Sequence, residues 1–183
     1  MRLPIFVISV LAIAGCTAAP VNRDPAAAPL TTEQSVDLAR YQGLWYEIAR
    51  LPNSFEKDCE GVTAEYALRD DGLISVVNTC RKNSADGKVK VANGRARIVN
   101  EETNAELKVS FFGPFWGDYW ILDLDDDYTI SLVGEPKGRY LWILSRTPTV
   151  ADEVLKDAIS KLDAFGYNTD ALYYPQQPPV DAP

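Results

Sequence analysis

From Tyr41 onward, apolar and polar positions mostly alternate with a period of two, and turn-forming residues interrupt the alternation at short intervals. The pattern predicts strands at about 43–50, 62–68, 73–80, 89–98, 106–112, 118–124, 128–133 and 140–146. Asp70-Asp71-Gly72, Asn100 to Asn104, Gly113-Pro114, Asp125-Asp126-Asp127 and Gly134 to Gly138 supply turn chemistry between them. Eight short strands on short links predict an all-β fold, an up-and-down antiparallel sheet closed into a barrel. Closure removes exposed edges, and a barrel of this size has room for one small ligand. The period then changes: Val154, Leu155, Ala158, Ile159, Leu162 and Phe165 recur at helical spacing. Thr149 and Asp152 read as a capping box for this helix, and Gly166 as its C′ glycine. The apolar stripe must be buried, most simply against the outside of the barrel. Leu172 to Tyr174 reads as a short final strand that pairs with the first.

The two ends follow other rules. Arg2 precedes an apolar run from Ile5 to Ala14 that is too short to span a bilayer, the form of a secretory signal. It ends in Leu11-Ala12-Ile13-Ala14-Gly15-Cys16, which resembles the bacterial lipobox, where the Cys is lipidated and becomes the mature N-terminus. An ordinary signal cut after a small residue would instead leave Cys16 as a free thiol. Thr17 to about Ser35 is rich in Ala, Pro and Thr and has no apolar period, so it reads as a flexible tether. The stretch from Gln176 to Pro183 is also Pro-rich and reads as unstructured. The organisation expected is a signal at 1–15, lipidated Cys and tether at 16–38, the β domain at 39–178 and a tail at 179–183.

With Cys16 set aside, Cys59 and Cys80 remain, on either side of a hairpin pattern. Pairing Leu68 with Leu73 brings the two cysteines together at the open end of the hairpin, offset by about two residues, which a bulge could absorb. A disulfide there suits an exported protein and would contribute roughly 3 kcal/mol; two buried free thiols are the other reading.

Charge and composition narrow the function. A formal charge of -8 is wrong for a nucleic-acid surface. His is absent, which removes His-dependent triads, His-ligated zinc and the usual proximal haem ligand. No Gly-x-Ser-x-Gly, P-loop or dinucleotide fingerprint occurs. The acidic run from Asp123 to Asp127 lacks the Gly and Glu of an EF-hand loop and reads as a solvated turn. No cofactor and no metal are expected.

Particular residues then point to a family. Gly43-Leu44-Trp45-Tyr46-Glu47-Ile48-Ala49-Arg50 resembles the Gly-x-Trp signature on the first strand of the lipocalins. Leu141-Trp142-Ile143-Leu144-Ser145-Arg146-Thr147-Pro148 resembles their last-strand motif, whose Arg packs across the signature Trp. Asp123-Leu124-Asp125 leading to Tyr128 is similar to the middle motif. Phe111-Phe112-Gly113-Pro114-Phe115 and Tyr174-Pro175-Gln176-Gln177-Pro178 resemble bacterial outer-membrane lipocalins and their apolipoprotein D relatives in particular. The resemblance covers about Tyr41 to Pro178. With the lipobox, it implies a lipid-anchored protein of the bacterial cell envelope, in the outer membrane and facing the periplasm, since Thr17 rather than Asp follows Cys16.

Counting strand directions places Trp45 and Arg146 together at one closed end, as a structural floor. The loops after the first, fifth and seventh strands lie at the opposite, open end, with Cys59 and Cys80. Period-two alternation then selects an inward, ligand-binding set: Glu47, Ala64, Tyr66, Val76, Asn78, Ala96, Val109, Phe111, Tyr119, Ile121, Ser131, Tyr140 and Trp142. Such a lining suits a fatty acid or lysophospholipid that is stored or transported, without catalysis. The alternatives are a barrel enzyme acting on a lipid or carotenoid, with Glu47 and Tyr119 as an acid/base pair, and a filled barrel serving as a scaffold. Phe55, Phe112, Phe115 and Trp116 at the rim would meet ligand or membrane, or pack the loops together. Monomer and homodimer are both compatible with the sequence.

Overall fold

A computed structural model describes residues 20–179. The signal segment, Cys16 and residues 180–183 lie outside the described residues. A short helix, α1 (Leu38–Tyr41), leads into eight strands: β1 (Gly43–Arg50), β2 (Cys59–Leu68), β3 (Ile74–Lys82), β4 (Val89–Ile98), β5 (Glu106–Ser110), β6 (Gly117–Leu124), β7 (Ile130–Gly134) and β8 (Leu141–Ser145). They form a closed barrel in sequence order, with every neighbour antiparallel and β8 returning to β1 at Tyr46↔Ser145. This is the barrel that the alternation predicts, with most strand ends shifted by one to three residues.

Closure divides the apolar residues between two cores. The inner one gathers Trp45, Tyr66, Val76, Ala96, Leu107 and Ile121 within the barrel. The outer one lies under α2 (Asp152–Ala164), whose Ala158 and Leu162 pack on outward-facing Leu122, Leu132 and Ile143. Half-buried Leu155 and Ile159 flank this contact, while Val154 is exposed, so the buried stripe is narrower than its apolar period. The expected Thr149 cap does not form. Ala151 holds the N-cap position without a side-chain bond, and the Thr149 carbonyl instead accepts from the Thr147 hydroxyl at 2.7 Å. Asp152 and Glu153 still place negative charge at the positive end of the helix dipole. Gly166 takes φ +84° just beyond the helix, a left-handed geometry that favours glycine.

The β2–β3 register shifts between Glu60 and Thr63, so that Gly61 and Val62 together oppose Cys80. The bulge does not remove the offset read from the sequence, since Cys59 stands opposite Lys82, two residues from Cys80. The two cysteines bridge it diagonally in a disulfide, with their Cα atoms 5.3 Å apart.

Two expectations about the ends need correction. The described part of the segment read as a flexible tether lies along the barrel wall. Asn22 donates its N–H to the Gly138 carbonyl (2.9 Å), Asp24 to Gly166 (2.8 Å), Glu33 to Ile121 (3.0 Å) and Val36 to Thr103 (2.7 Å). Ile121 lies one residue past the last β5–β6 pair, Glu106↔Trp120, and there its carbonyl accepts from Glu33. Val36 is buried in the inner core and Leu30 packs against the outer one. At the other end, Gln176 and Gln177 are tied down. Gly61 donates to the Gln176 carbonyl (2.8 Å), and the Gln177 side-chain amide donates to the Glu47 (2.7 Å) and Val62 (3.1 Å) carbonyls. The short final strand contracts to one bridge, Arg50↔Tyr173, after a 3-10 turn at Thr169–Ala171.

Candidate ligand cavity

Chain direction decides what lies at each end. β1 starts at Gly43 beside Tyr66, and β8 ends at Ser145 near the same level, so Trp45 and Arg146 meet. The Arg146 guanidinium sits 3.8 Å from the Trp45 ring centroid. It donates to the carbonyls of Leu44 (2.9 Å), Arg40 (2.7 Å) and Tyr128 (3.2 Å). Trp45 is fully buried, and its indole N–H donates to the Tyr41 carbonyl at 2.9 Å. The Asp37 carboxylate caps α1 through the Ala39 and Arg40 N–H groups. One arginine thus ties α1, β1 and the β6–β7 turn together and seals this end.

Above the floor is a cavity of about 730 Å³, within the range of small-molecule sites. Its wall takes Glu47 from β1, Ala64 and Tyr66 from β2, Val76 and Asn78 from β3, and Ala96 from β4. Val109 on β5, Tyr119 and Ile121 on β6, and Trp142 on β8 complete the strand-borne wall. Phe111 and Tyr140 stand just outside the strands, at the mouth. Gly94 lets the Phe111 ring lie against β4, because a Cβ there would come within 2.8 Å of it. Ser131 differs from the expectation. It lies behind Tyr41, whose hydroxyl it meets at 3.1 Å, and not on the wall.

The polar groups near the floor satisfy one another. The hydroxyls of Tyr66 and Tyr119 are 3.0 Å apart, and those of Tyr119 and Tyr41 are 2.9 Å apart. Burial holds all three phenols above their ordinary pKa, so they are neutral hydrogen-bonding groups. Tyr119 is therefore engaged with tyrosines and not with Glu47. The Asn78 side-chain oxygen is buried on the wall, and no donor among the described residues reaches it.

Glu47 belongs to a second network, near the mouth. Arg50 Nη1 lies 2.5 Å from its carboxylate, and Arg50 Nη2 donates to the carbonyls of Glu56 (3.0 Å) and Cys59 (3.1 Å). The Arg50 guanidinium also packs 4.6 Å from the Tyr173 ring centroid. Glu56 accepts from the Trp142 indole at 3.1 Å and from Asn53 at 2.5 Å. Burial, then the nearby Glu56 charge, pushes the Glu47 carboxyl well above the usual carboxylate range, against the pull of Arg50. The sequence reading missed Arg50 and Glu56 as members of the site. Strict alternation from Trp45 and Glu47 assigns Arg50 to the outer face, but the β1–β8 register shift after Glu47 brings it opposite Trp142, on the cavity side. Glu56 lies in a loop where alternation has no meaning, and the one available signal was charge spacing around Glu47.

The acidic run is used locally. Asp125 accepts from the Thr129 N–H (2.7 Å) and hydroxyl (2.6 Å) and from the Ile130 N–H (2.5 Å), which builds the β6–β7 turn. Asp123 pairs with Lys161 on α2 at 2.8 Å. Among the described residues, no group of three or more His, Cys, Asp or Glu side chains is placed to hold a metal ion.

An eight-stranded calyx with a Trp–Arg floor, one lateral helix and an apolar interior defines the class of barrels that enclose small hydrophobic molecules. Residues 36–177 match the family model described as a lipocalin-like domain, and the chain belongs to the lipocalins. It is 40% identical over 178 residues to outer membrane lipoprotein Blc of Vibrio cholerae, covering 97% of this chain and 99% of that protein. Apolipoprotein D of Macaca fascicularis is 32% identical over 150 residues, covering 76% of this chain and 70% of that protein. Among solved structures, insecticyanin from the tobacco hornworm Manduca sexta superposes with a TM-score of 0.67 at 20% identity, covering 84% of this chain and 87% of that one. This last likeness concerns the fold alone.

Proposed function

We propose that this lipocalin is held in the bacterial outer membrane by lipids on Cys16, and that its cavity stores or carries a fatty acid or lysophospholipid on the periplasmic side. The carrying observation is the cavity of about 730 Å³, sealed at Trp45 and Arg146 and walled mainly by apolar side chains. Each methylene moved from water into such a wall contributes ~0.8 kcal/mol, so a long acyl chain is the natural occupant. Asn78 supplies an acceptor on the wall for a hydroxyl or amine of the ligand. The relatives named outer membrane lipoprotein Blc support the anchor and its location.

Binding is the reading that the geometry favours over catalysis. The acid/base pair that an enzyme would need from Glu47 and Tyr119 does not assemble, because Glu47 is committed to Arg50 and Tyr119 to Tyr41 and Tyr66. The test is to purify the domain without Cys16, extract it with organic solvent and weigh the extract by mass spectrometry. Acyl chains at one per barrel, and a change in Trp142 fluorescence on adding fatty acid or lysophospholipid, are the expected results. An empty extract with no fluorescence response to either lipid would overturn this function.

A further inference from the structure

The path of the N-terminal segment fixes how the barrel stands relative to its anchor. Val36 is bonded at the closed end, to the β4–β5 turn; Glu33 lies halfway along, at β6; Asn22 is bonded at the open end, to Gly138 in the β7–β8 loop. The strap therefore climbs the barrel from floor to mouth as it is followed back towards the N-terminus. Asn22 is six residues beyond Cys16, and six links of chain span at most about 20 Å whatever their conformation. Acyl chains on Cys16 would thus hold the open rim, not the floor, close to the lipid surface.

The two ends differ in the way that this arrangement requires. Phe112 and Phe115, on the β5–β6 loop at the rim, are 80% and 76% exposed, and Phe55 on the β1–β2 loop is 56% exposed. Val21, beside the point where the strap reaches the rim, is also exposed. These exposed apolar groups stand on loops around one mouth of the barrel, and exposed apolar surface gathered at one end marks an interaction site. The four open-end loops balance four acidic with four basic side chains, and two of the acids, Glu56 and Glu135, are buried. The three closed-end turns carry seven acidic side chains and one arginine. In a chain of net charge -8, the rim is the end that an anionic lipid surface repels least.

We propose that the open rim docks on the bilayer that holds the Cys16 lipids, with Phe112 and Phe115 entering its interface and the cavity mouth facing the lipid. Docking in this way would let an acyl chain pass between membrane and cavity without crossing bulk water. The proposal rests on the anchored reading of Cys16 given above.

The test uses the full lipidated protein in vesicles of phosphatidylethanolamine and phosphatidylglycerol. A polarity-sensitive dye is attached through a new cysteine, at the rim in Ser54→Cys or at the floor in Asp71→Cys. The expected result is a blue shift and quenching by brominated lipid for the rim dye only. A Phe112→Ser/Phe115→Ser variant, still sedimenting with the vesicles through Cys16, should lose that signal. Quenching of the floor dye, equal quenching of both, or a rim signal unchanged in the double variant would overturn docking while leaving the anchor intact. A rim dye already shielded without vesicles, in protein sedimenting as a dimer, would overturn it in favour of a second copy covering the rim. An unmodified Cys16 in the protein's mass spectrum would remove the anchor and the docking together, whereas failure of the lipid extraction above would touch only the ligand.

Discussion

At the floor of the barrel, one guanidinium reaches the carbonyls of α1, β1 and the β6–β7 turn and lies on a fully buried indole, while the tyrosines just above it bond to one another. At the mouth, the corresponding arginine is enclosed by two carboxylates, one of which sits in a loop, and aromatic rings stand in the open. The floor is a closed hydrogen-bond account among rigid elements, and the mouth is a set of loops tied by one disulfide and one buried ion cluster. This barrel therefore keeps its rigid closing contacts and its loop-built contacts at opposite ends. Substitutions that test the floor should act on stability, and those at the mouth on binding.

Trp45→Ala gives the largest effect. Removing a fully buried indole costs about 3–5 kcal/mol, a large part of a typical domain stability of 5–15 kcal/mol, and Arg146 is left without its ring. Thermal or urea unfolding should show a large destabilisation, and a small change would break the assignment of this end as the structural floor. Trp142→Ala, with a ring only partly buried at the mouth, should cost roughly 1–2 kcal/mol while weakening lipid uptake.

Replacing Cys59 and Cys80 together by Ser tests the staple at the mouth. The pair is separated by 21 residues, and loop-closure entropy puts the loss at about 3 kcal/mol. Comparing unfolding of the oxidised wild type with the double variant measures it. If the mouth is the adaptable end, ligand affinity should fall while the floor tryptophan keeps its buried fluorescence.

The smallest effect sharpens the comparison through pH. The Glu47 carboxyl is raised in the folded protein, first by burial and then by Glu56. Its protonated form is thus favoured by folding: the contribution to stability is full below the unfolded pKa of about 4.3 and is lost as pH rises through the higher folded value. Melting temperature against pH should show this decline in the wild type and a flatter profile in Glu47→Gln. An identical slope in the variant would mean that Arg50 fully compensates the Glu47 charge.

Much of this molecule was legible in the sequence. Period-two alternation located all eight strands and most of the residues that face the barrel interior, because a pleated strand sends successive side chains to opposite sides until a register shift intervenes. The helix was legible for the same local reason, and the hairpin pattern brought the two cysteines together at its open end, where they are bonded. Three parts were not. The segment before Val36 has no apolar period and docks mainly through main-chain hydrogen bonds, which leave little trace in residue type. Ser131 has the inward parity of its strand, yet Tyr41, arriving from α1, stands between it and the cavity. Arg50 became a member of the site through the register shift in β1, and Glu56 only when a loop folded back over the end of that strand.

The sequence by itself determined the strands, the helix, the paired cysteines and the Trp–Arg floor, since each depends on local periodicity or on a motif with one geometric use. Only the tertiary structure decided which polar groups face the cavity and which satisfy each other, and at which end the N-terminal strap leaves the barrel. Those outcomes depend on distances between elements far apart in the chain, which register shifts, loops and closure of the barrel set together.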